Sequence, residues 1–109
     1  MGSYKVQVTV KEVRGRCAAG YAPGDSFTAE GFYIAPGQSV RVCLHALGSM
    51  LTLLSPLLKG VPARQLGIDT EDDVGYAQCP DPGKPYTCRG TVAFELRREE
   101  LKEEVSSLT

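Results

Sequence analysis

Residues 39–60 read SVRVCLHALGSMLTLLSPLLKG, and this stretch decides how the fold can be built. Its apolar side chains recur at steps of three and four residues, which is the period of a helix with one apolar face. The sequence therefore predicts one principal helix that packs against the rest of the chain. The predicted apolar stripe comprises Val40, Cys43, Leu44, Leu47, Leu51, Leu54 and Leu58.

The bounds of this helix follow from residues that begin and end helices. Ser39 is a residue type that caps helix N-termini, and a serine followed by Pro56 suits the start of a new helical turn. We therefore expect a helix over 39–54 and a short second turn over 56–59, closed by a glycine. The segment 60–73 has no clear period and is expected to be irregular.

Strand patterns lie on both sides of the helix, where apolar and polar residues alternate with a period of two. Because no βαβ unit repeats along the chain, we predict an α+β fold in which a small, mainly antiparallel sheet packs against one principal helix. Residues 1–98 are expected to form one domain, and 99–109 a charged C-terminal tail, helical or frayed. The predicted strands cover residues 4–10, 27–35, 74–79 and 91–98.

The composition excludes some classes of function and location. Of the 109 residues, 42% are hydrophobic and 23% are charged, which is ordinary for one globular domain. The net charge of -1 gives no basic field for DNA or RNA, so no nucleic-acid partner is expected. The longest apolar stretch is too short to cross a membrane, and the N-terminus shows no signal peptide. We expect a cytoplasmic protein with no membrane partner.

Four cysteines are the chemically distinctive feature of the chain, and none of them forms a Cys-x-x-Cys pair. Cys17 follows the first predicted strand, Cys43 lies near the helix start and Cys79 ends the third strand. Elements meet at such boundaries, so these three side chains are candidates for one site. Thiolates bind zinc and iron–sulfur clusters, and small buried cysteines also simply fill core space.

The other candidate residues near these thiols are one histidine and two aspartates. On a regular helix, Cys43 and His45 lie about 200° apart, so His45 is predicted to face solvent on the side away from Cys43. Asp25 and Asp81 are predicted as polar partners of the site. Cys79 and Cys88 flank a proline-rich loop and form a candidate redox pair if the flanking strands make a hairpin.

Two motifs resemble a family of small bacterial and archaeal proteins that has no assigned activity. One is the Cys-x-x-Gly…Gly-Asp-x-Phe stretch over residues 17–27, and the other is the Cys-Pro-Asp-Pro motif over residues 79–82. The resemblance implies that Cys17, Cys43 and Cys79 are shared thiols, and that Cys88 is particular to this chain. Where the family's helix begins Cys-Pro with a histidine several residues on, this chain has Leu44 and then His45.

Three hypotheses about function follow from these residues. In the first, Cys17, Cys43 and Cys79 bind a metal, zinc or iron, or another soft ligand. In the second, the same thiols act without metal in an enzyme or a redox protein. In the third, the cysteines belong to the core of a non-catalytic binding module or homo-oligomer, for which the apolar stripe and exposed strand edges are the motivation. The sequence does not identify a small-molecule ligand.

Overall fold

The structure is a computed structural model, and it describes residues 4–37, 40–69, 71–83, 85–87 and 90–101. Within these ranges, five antiparallel strands form one sheet in the order β3-β2-β1-β5-β4, with one long helix packed against it. This architecture confirms the predicted α+β fold. The elements are β1 (Tyr4–Arg14), β2 (Ser26–Glu30), β3 (Tyr33–Ile34), α1 (Leu44–Leu58), α2 (Ala63–Leu66), β4 (Val74–Gln78) and β5 (Thr91–Glu100).

The two long strands β1 and β5 form the centre of the sheet. They pair from Tyr4 opposite Glu100 to Arg14 opposite Thr91, with a shift in register between Val10 and Glu12. Their alternating apolar side chains point to one face, where they bury the core as a period of two requires. The strand residues that belong to the buried apolar core are Val6, Val8, Val10, Phe27, Ala29, Val92, Phe94 and Leu96.

β5 also continues further than the sequence predicts. Glu99 and Glu100 pair with Lys5 and Tyr4 on β1, so the expectation of a helical or frayed chain from residue 99 onward is wrong for these two residues. Pairing with a long neighbouring strand outweighs their weak intrinsic preference for strands. The rest of the predicted tail, from residue 102 onward, lies outside the described residues.

The predicted strand over 27–35 is wrong as a single element, because it is two strands joined by a tight turn. Gly31 has a positive φ of 58°, which glycine adopts without steric cost. β2 and β3 then pair as a hairpin, with Ala29 opposite Ile34. β3 is one edge of the sheet and β4 is the other.

The helix differs from its predicted bounds at both ends. It begins at Leu44 rather than near residue 39, because Cys43 has the extended angles φ -72° and ψ 129° of an N-cap. At the other end it runs through Pro56 to Leu58 without a break. Leu57 is fully buried, and we attribute the continuation to this packing, which offsets the hydrogen bond that proline cannot donate. The predicted cap Ser39 lies outside the described residues.

The predicted apolar stripe is only partly the face that packs against the sheet. Leu44 is 80% exposed and Leu51 is 53% exposed, whereas Ala46 and Met50 are buried. The helix is apolar on two sides, and periodicity alone does not show which side meets the sheet. The buried helix residues are Ala46, Met50, Leu54 and Leu57.

The segment between α1 and β4 is less irregular than predicted, because α2 forms one short turn of helix there. Gly67 ends it in the left-handed conformation, with φ 76°. Across the described ranges, no helix combines the length and the apolar character that crossing a bilayer requires.

Candidate functional site

Three cysteines from three distant segments line one cleft of about 150 Å³, which we name the cysteine cleft. Cys17 comes from the loop after β1, and Cys43 caps α1. Cys79 directly follows β4. Ala18, Ala19, His45, Pro80, Asp81 and Gly90 complete the lining. The fold therefore brings together the three thiols that the sequence singled out at element boundaries.

Backbone hydrogen bonds fix the loop that carries Cys17. The carbonyl of Cys17 accepts a hydrogen bond from the N–H of Gly20 at 3.1 Å, which closes a turn. One residue earlier, the carbonyl of Arg16 accepts one from the N–H of Gly90 at 2.8 Å. A Cβ on Gly90 would overlap the backbone of residues 14–16. Only glycine allows this close approach of the loop to the start of β5.

The phenol of Tyr21 holds Cys43 in place. The Tyr21 hydroxyl accepts a hydrogen bond from the N–H of Cys43 at 2.7 Å and donates one to the carbonyl of Arg41 at 2.9 Å. The ring is buried, and it packs edge-on against Phe94 with the ring centroids 5.9 Å apart. The extended segment before α1 is thus attached to the sheet through one side chain.

Burial is the main cause that raises the pKa of Tyr21 above its usual value of 10.0. The hydrogen bond from the Cys43 N–H lowers this pKa, whereas the negative charges that Cys43, Cys17 and Asp25 can carry raise it further. The phenol therefore stays neutral well into the alkaline range, and it can both donate and accept a hydrogen bond.

Cys79 is fixed by the end of the sheet. Its N–H donates to the carbonyl of Val92 at 2.9 Å, and its carbonyl accepts a long hydrogen bond of 3.5 Å from the hydroxyl of Thr91. These contacts extend the pairing of β4 with β5 by one residue. The position of Cys79 is therefore set by the same ladder that forms the sheet.

All three thiols are free and only partly buried. On one side they pack against the hydrophobic core, and on the other they line the cleft. A cysteine that serves only as core filling is usually buried completely. The exposure of these thiols leaves them accessible to a molecule in the cleft.

His45 lines the same cleft, and the prediction that it lies on the side away from Cys43 is wrong. The predicted angle assumed that both residues are helical, but Cys43 is the extended N-cap and precedes the first helical residue. The expectation that His45 is exposed is confirmed. An imidazole therefore lies at the mouth of a cleft that also contains three thiols.

The two aspartates that the sequence proposed as polar partners have different places. Asp81 lines the cleft, and its Oδ1 accepts hydrogen bonds from the N–H of Gly83 and from the hydroxyl of Thr87. Asp25 does not line the cleft. Its Oδ2 accepts a hydrogen bond from the N–H of Ala22 at 2.9 Å and so closes a turn.

No group of three or more Cys, His, Asp or Glu side chains within the described ranges is arranged to hold a metal ion. The three thiols share a cleft, but they do not form a ready-made metal site. The predicted redox pair cannot be placed, because Cys88 lies outside the described residues.

Sequence reasoning missed Tyr21 and Gly90 as parts of the site. Tyr21 lies in a loop rich in glycine and proline, where no periodic pattern marks a buried side chain. A glycine directly before a strand, such as Gly90, is a signal for close backbone approach. The sequence does not show that the neighbouring backbone belongs to residues 14–16.

No family model matches the chain, and no curated protein or solved structure shows significant similarity to it. The family resemblance drawn from the two cysteine motifs therefore stays a prediction.

Proposed function

We propose that the cysteine cleft is the functional site and that it binds a thiophilic ligand. This ligand is either a soft metal ion or a small molecule with an atom that binds thiolate sulfur. The observation that supports this most is the meeting of Cys17, Cys43 and Cys79 in one accessible cleft. We further propose a cytoplasmic location, since a reducing compartment keeps such thiols free.

The chemistry of the lining residues supports a soft ligand over a hard one. Thiolate and imidazole ligands favour zinc, copper(I) and iron–sulfur chemistry, whereas the single carboxylate in the lining, Asp81, already accepts two hydrogen bonds. A cleft of about 150 Å³ is larger than a bare ion needs. A metal ion would have to draw the thiols together, and a small molecule would not.

Metal and ligand binding can be tested on the full chain purified under anaerobic conditions. We expect Cd²⁺, used as a spectroscopic probe for thiolates, to bind and to raise the unfolding temperature. The variants C17S, C43S and C79S should each weaken Cd²⁺ binding by at least about tenfold, because each removes one thiolate that would bind the ion directly. C88S is the matched control, since the family resemblance implies that Cys88 is particular to this chain and not one of the shared thiols, and it should bind as the wild type does.

Two results would contradict this proposal. One is the absence of binding by Cd²⁺, Zn²⁺ and copper(I) together with the absence of any reaction with a thiol-directed arsenical, which bridges neighbouring thiols. The other is equal loss of binding in C88S and in the three cleft variants, which would place the ligand elsewhere.

A second candidate function is thiol chemistry without metal, and the place of Cys43 favours it. Cys43 is the N-cap of a fifteen-residue helix, and its side chain makes no capping hydrogen bond. The N-terminus of a helix stabilises negative charge such as that of a thiolate. His45, which lines the same cleft, is the group that could take the proton.

Alkylation by iodoacetamide, followed by mass spectrometry of each cysteine peptide, tests this second candidate. We expect Cys43 to react faster than Cys17 and Cys79, and H45Q to slow Cys43 selectively. Equal and slow labelling of all three cleft thiols would eliminate thiol chemistry as the function. Cd²⁺ binding does not require a cysteine that is alkylated rapidly. The two experiments can therefore contradict one candidate function without contradicting the other.

A further inference from the structure

Helix α1 has a second apolar face that the sheet does not cover. Its first apolar face, formed by Ala46, Met50, Leu54 and Leu57, packs into the core. The second face repeats at alternating steps of three and four residues, which is the spacing of a seam between paired helices. We name it the leucine seam, and it consists of Leu44, Leu47, Leu51 and Leu58, with the buried Leu54 at its border with the first face.

The part of α1 from Leu47 to Leu58 and the β2–β3 hairpin form the two walls of an open groove. The groove has a volume of about 240 Å³, and its hairpin wall includes Gly31, Phe32, Tyr33 and Ile34. Large apolar side chains of the groove, and Leu44 at the start of the leucine seam, are exposed to solvent. The exposed fractions are 83% for Phe32, 75% for Tyr33, 80% for Leu44 and 53% for Leu51.

The exposed side of α1 carries no acidic residue, lysine or arginine. From Leu44 to Leu58 there is no Asp, Glu, Lys or Arg, although the solvent face of a surface helix is usually charged. Depletion of charged residues marks the centre of protein interfaces. Beside the groove, the Lys59 ammonium is 4.7 Å from the centre of the Phe32 ring.

We propose that the leucine seam is the interface of a homodimer, in which α1 pairs antiparallel with α1 of a second copy. A two-fold axis would bring Leu51, the central residue of the seam, against its own copy, and Leu44 against Leu58. An uncharged face offers nothing that would select a charged partner, whereas an apolar seam is complementary to itself. The net charge of -1 per chain adds little repulsion between two copies.

The size of the surface fits a second copy. The four exposed side chains alone present roughly 500 Å² of surface, if a full aromatic side chain counts as about 200 Å². A standard interface takes about 800 Å² from each partner, and the half-buried walls of the groove supply further area. Gly48 and Ser55 lie beside the seam, and their small side chains allow two helices to approach closely.

Sedimentation equilibrium of the full chain, from low micromolar to near-millimolar concentration under reducing conditions, tests this proposal. We expect a reversible dimer in the wild type. L51E and L51K should each weaken it by more than about tenfold, because a charge would be buried between two apolar seams. An equimolar mixture of L51E and L51K should recover a dimer, since the opposite charges would meet at the two-fold axis.

The matched control is T52E, which adds the same charge at an exposed residue next to the seam. It should dimerise as the wild type does, and circular dichroism of all variants at low concentration shows whether they fold. A wild type that stays monomeric at every concentration would overturn the proposal, even if it bound lipid vesicles or an apolar dye through the groove. A dimer that L51E does not weaken would also overturn the proposal. So would a mixture of L51E and L51K that dimerises no more strongly than either variant alone.

Discussion

At the scale of single residues, the Tyr21 hydroxyl does more for the cysteine cleft than its place in a loop suggests. It bonds to the backbone on both sides of residue 42, and its ring packs on Phe94. Because the first of the three thiols lies four residues before Tyr21, this side chain also connects the Cys17 loop with the start of α1.

We expect Y21F to lower the free energy of unfolding by about 1–2 kcal/mol near neutral pH, since the partly buried N–H of Cys43 and the carbonyl of Arg41 both lose a partner. The phenyl ring keeps the contact with Phe94. Urea denaturation measures the change. Y86F is the matched control, because Tyr86 is 80% exposed and should leave the stability unchanged.

The pH dependence of the same pair of variants gives a further prediction. The pKa of Tyr21 in the folded state is raised, chiefly by burial, above the unfolded value of 10.0. The folded state therefore holds this proton more strongly, and the stability that it confers is present below pH 10.0 and falls as the pH rises towards the folded pKa. Y86F should show this alkaline loss, and Y21F should show less of it. Parallel pH curves would refute the assignment.

Neither role of Tyr21 could be predicted from the sequence. Its partners are backbone groups about twenty residues further along the chain, and a hydrogen bond to a backbone group leaves no side-chain pattern. The placement of the cysteines at element boundaries was more informative. Three boundary positions were enough to predict candidates for one site, although not the ligand.

At the scale of elements, the start of β5 and the loop after β1 are so close that Gly90 accepts no side chain. We expect G90A to lower the free energy of unfolding by roughly 2–4 kcal/mol, because backbone atoms must move to relieve the overlap. Thermal or urea unfolding measures this loss. The alkylation rate of Cys17 should also change, since the Arg16–Gly90 hydrogen bond positions its loop.

G48A in α1 is the control for this prediction. Gly48 is exposed, and a Cβ there meets no atom within 4 Å. In dilute protein we expect the alanine to stabilise the helix by about 0.5–1 kcal/mol. If G90A were as harmless as G48A, the close approach of the two elements would not be a constraint on the fold.

The elements themselves were predictable to different degrees. Apolar and polar residues alternate clearly along β1 and β5 because each strand has one buried face. Both strands were therefore predicted from the sequence. The hairpin was missed because the run around Gly31-Phe32 reads as a continuous apolar strand. The start of α1 was missed for another reason, since the residues before Leu44 are held extended by a tertiary hydrogen bond from Cys43.

At the scale of the whole molecule, Arg98 connects three parts of the sheet. Its guanidinium, 8% exposed, donates two hydrogen bonds to Oδ1 of Asp73 just before β4. It also lies 4.4 Å from the centre of the Tyr4 ring on β1. The backbone N–H of Arg98 donates to the carbonyl of Asp73 at 2.7 Å. Edge and centre of the sheet are thus joined through one side chain.

We expect R98A to lower the free energy of unfolding by about 1–2 kcal/mol, through loss of the hydrogen bonds and of the cation–π contact. R97A is the matched control, because Arg97 is exposed and its one ion pair among the described residues is with Glu95 on the same strand. It should cost no more than about 0.5 kcal/mol. Equal effects of the two variants, measured by urea denaturation, would show that Arg98 acts as an ordinary surface charge.

The cysteine cleft exists only while the chain is folded, because its three thiols come from segments that the fold alone brings together. A ligand that touches all three has no counterpart in the unfolded chain. Its binding energy therefore adds to the free energy of unfolding, by about 2.7 kcal/mol when the ligand is present at a hundred times its dissociation constant. Ligand binding in the cleft and folding of the chain are thus coupled equilibria. The cellular concentration of a thiophilic ligand would therefore also change the unfolded fraction of the protein, and with it the lifetime of the protein in the cell.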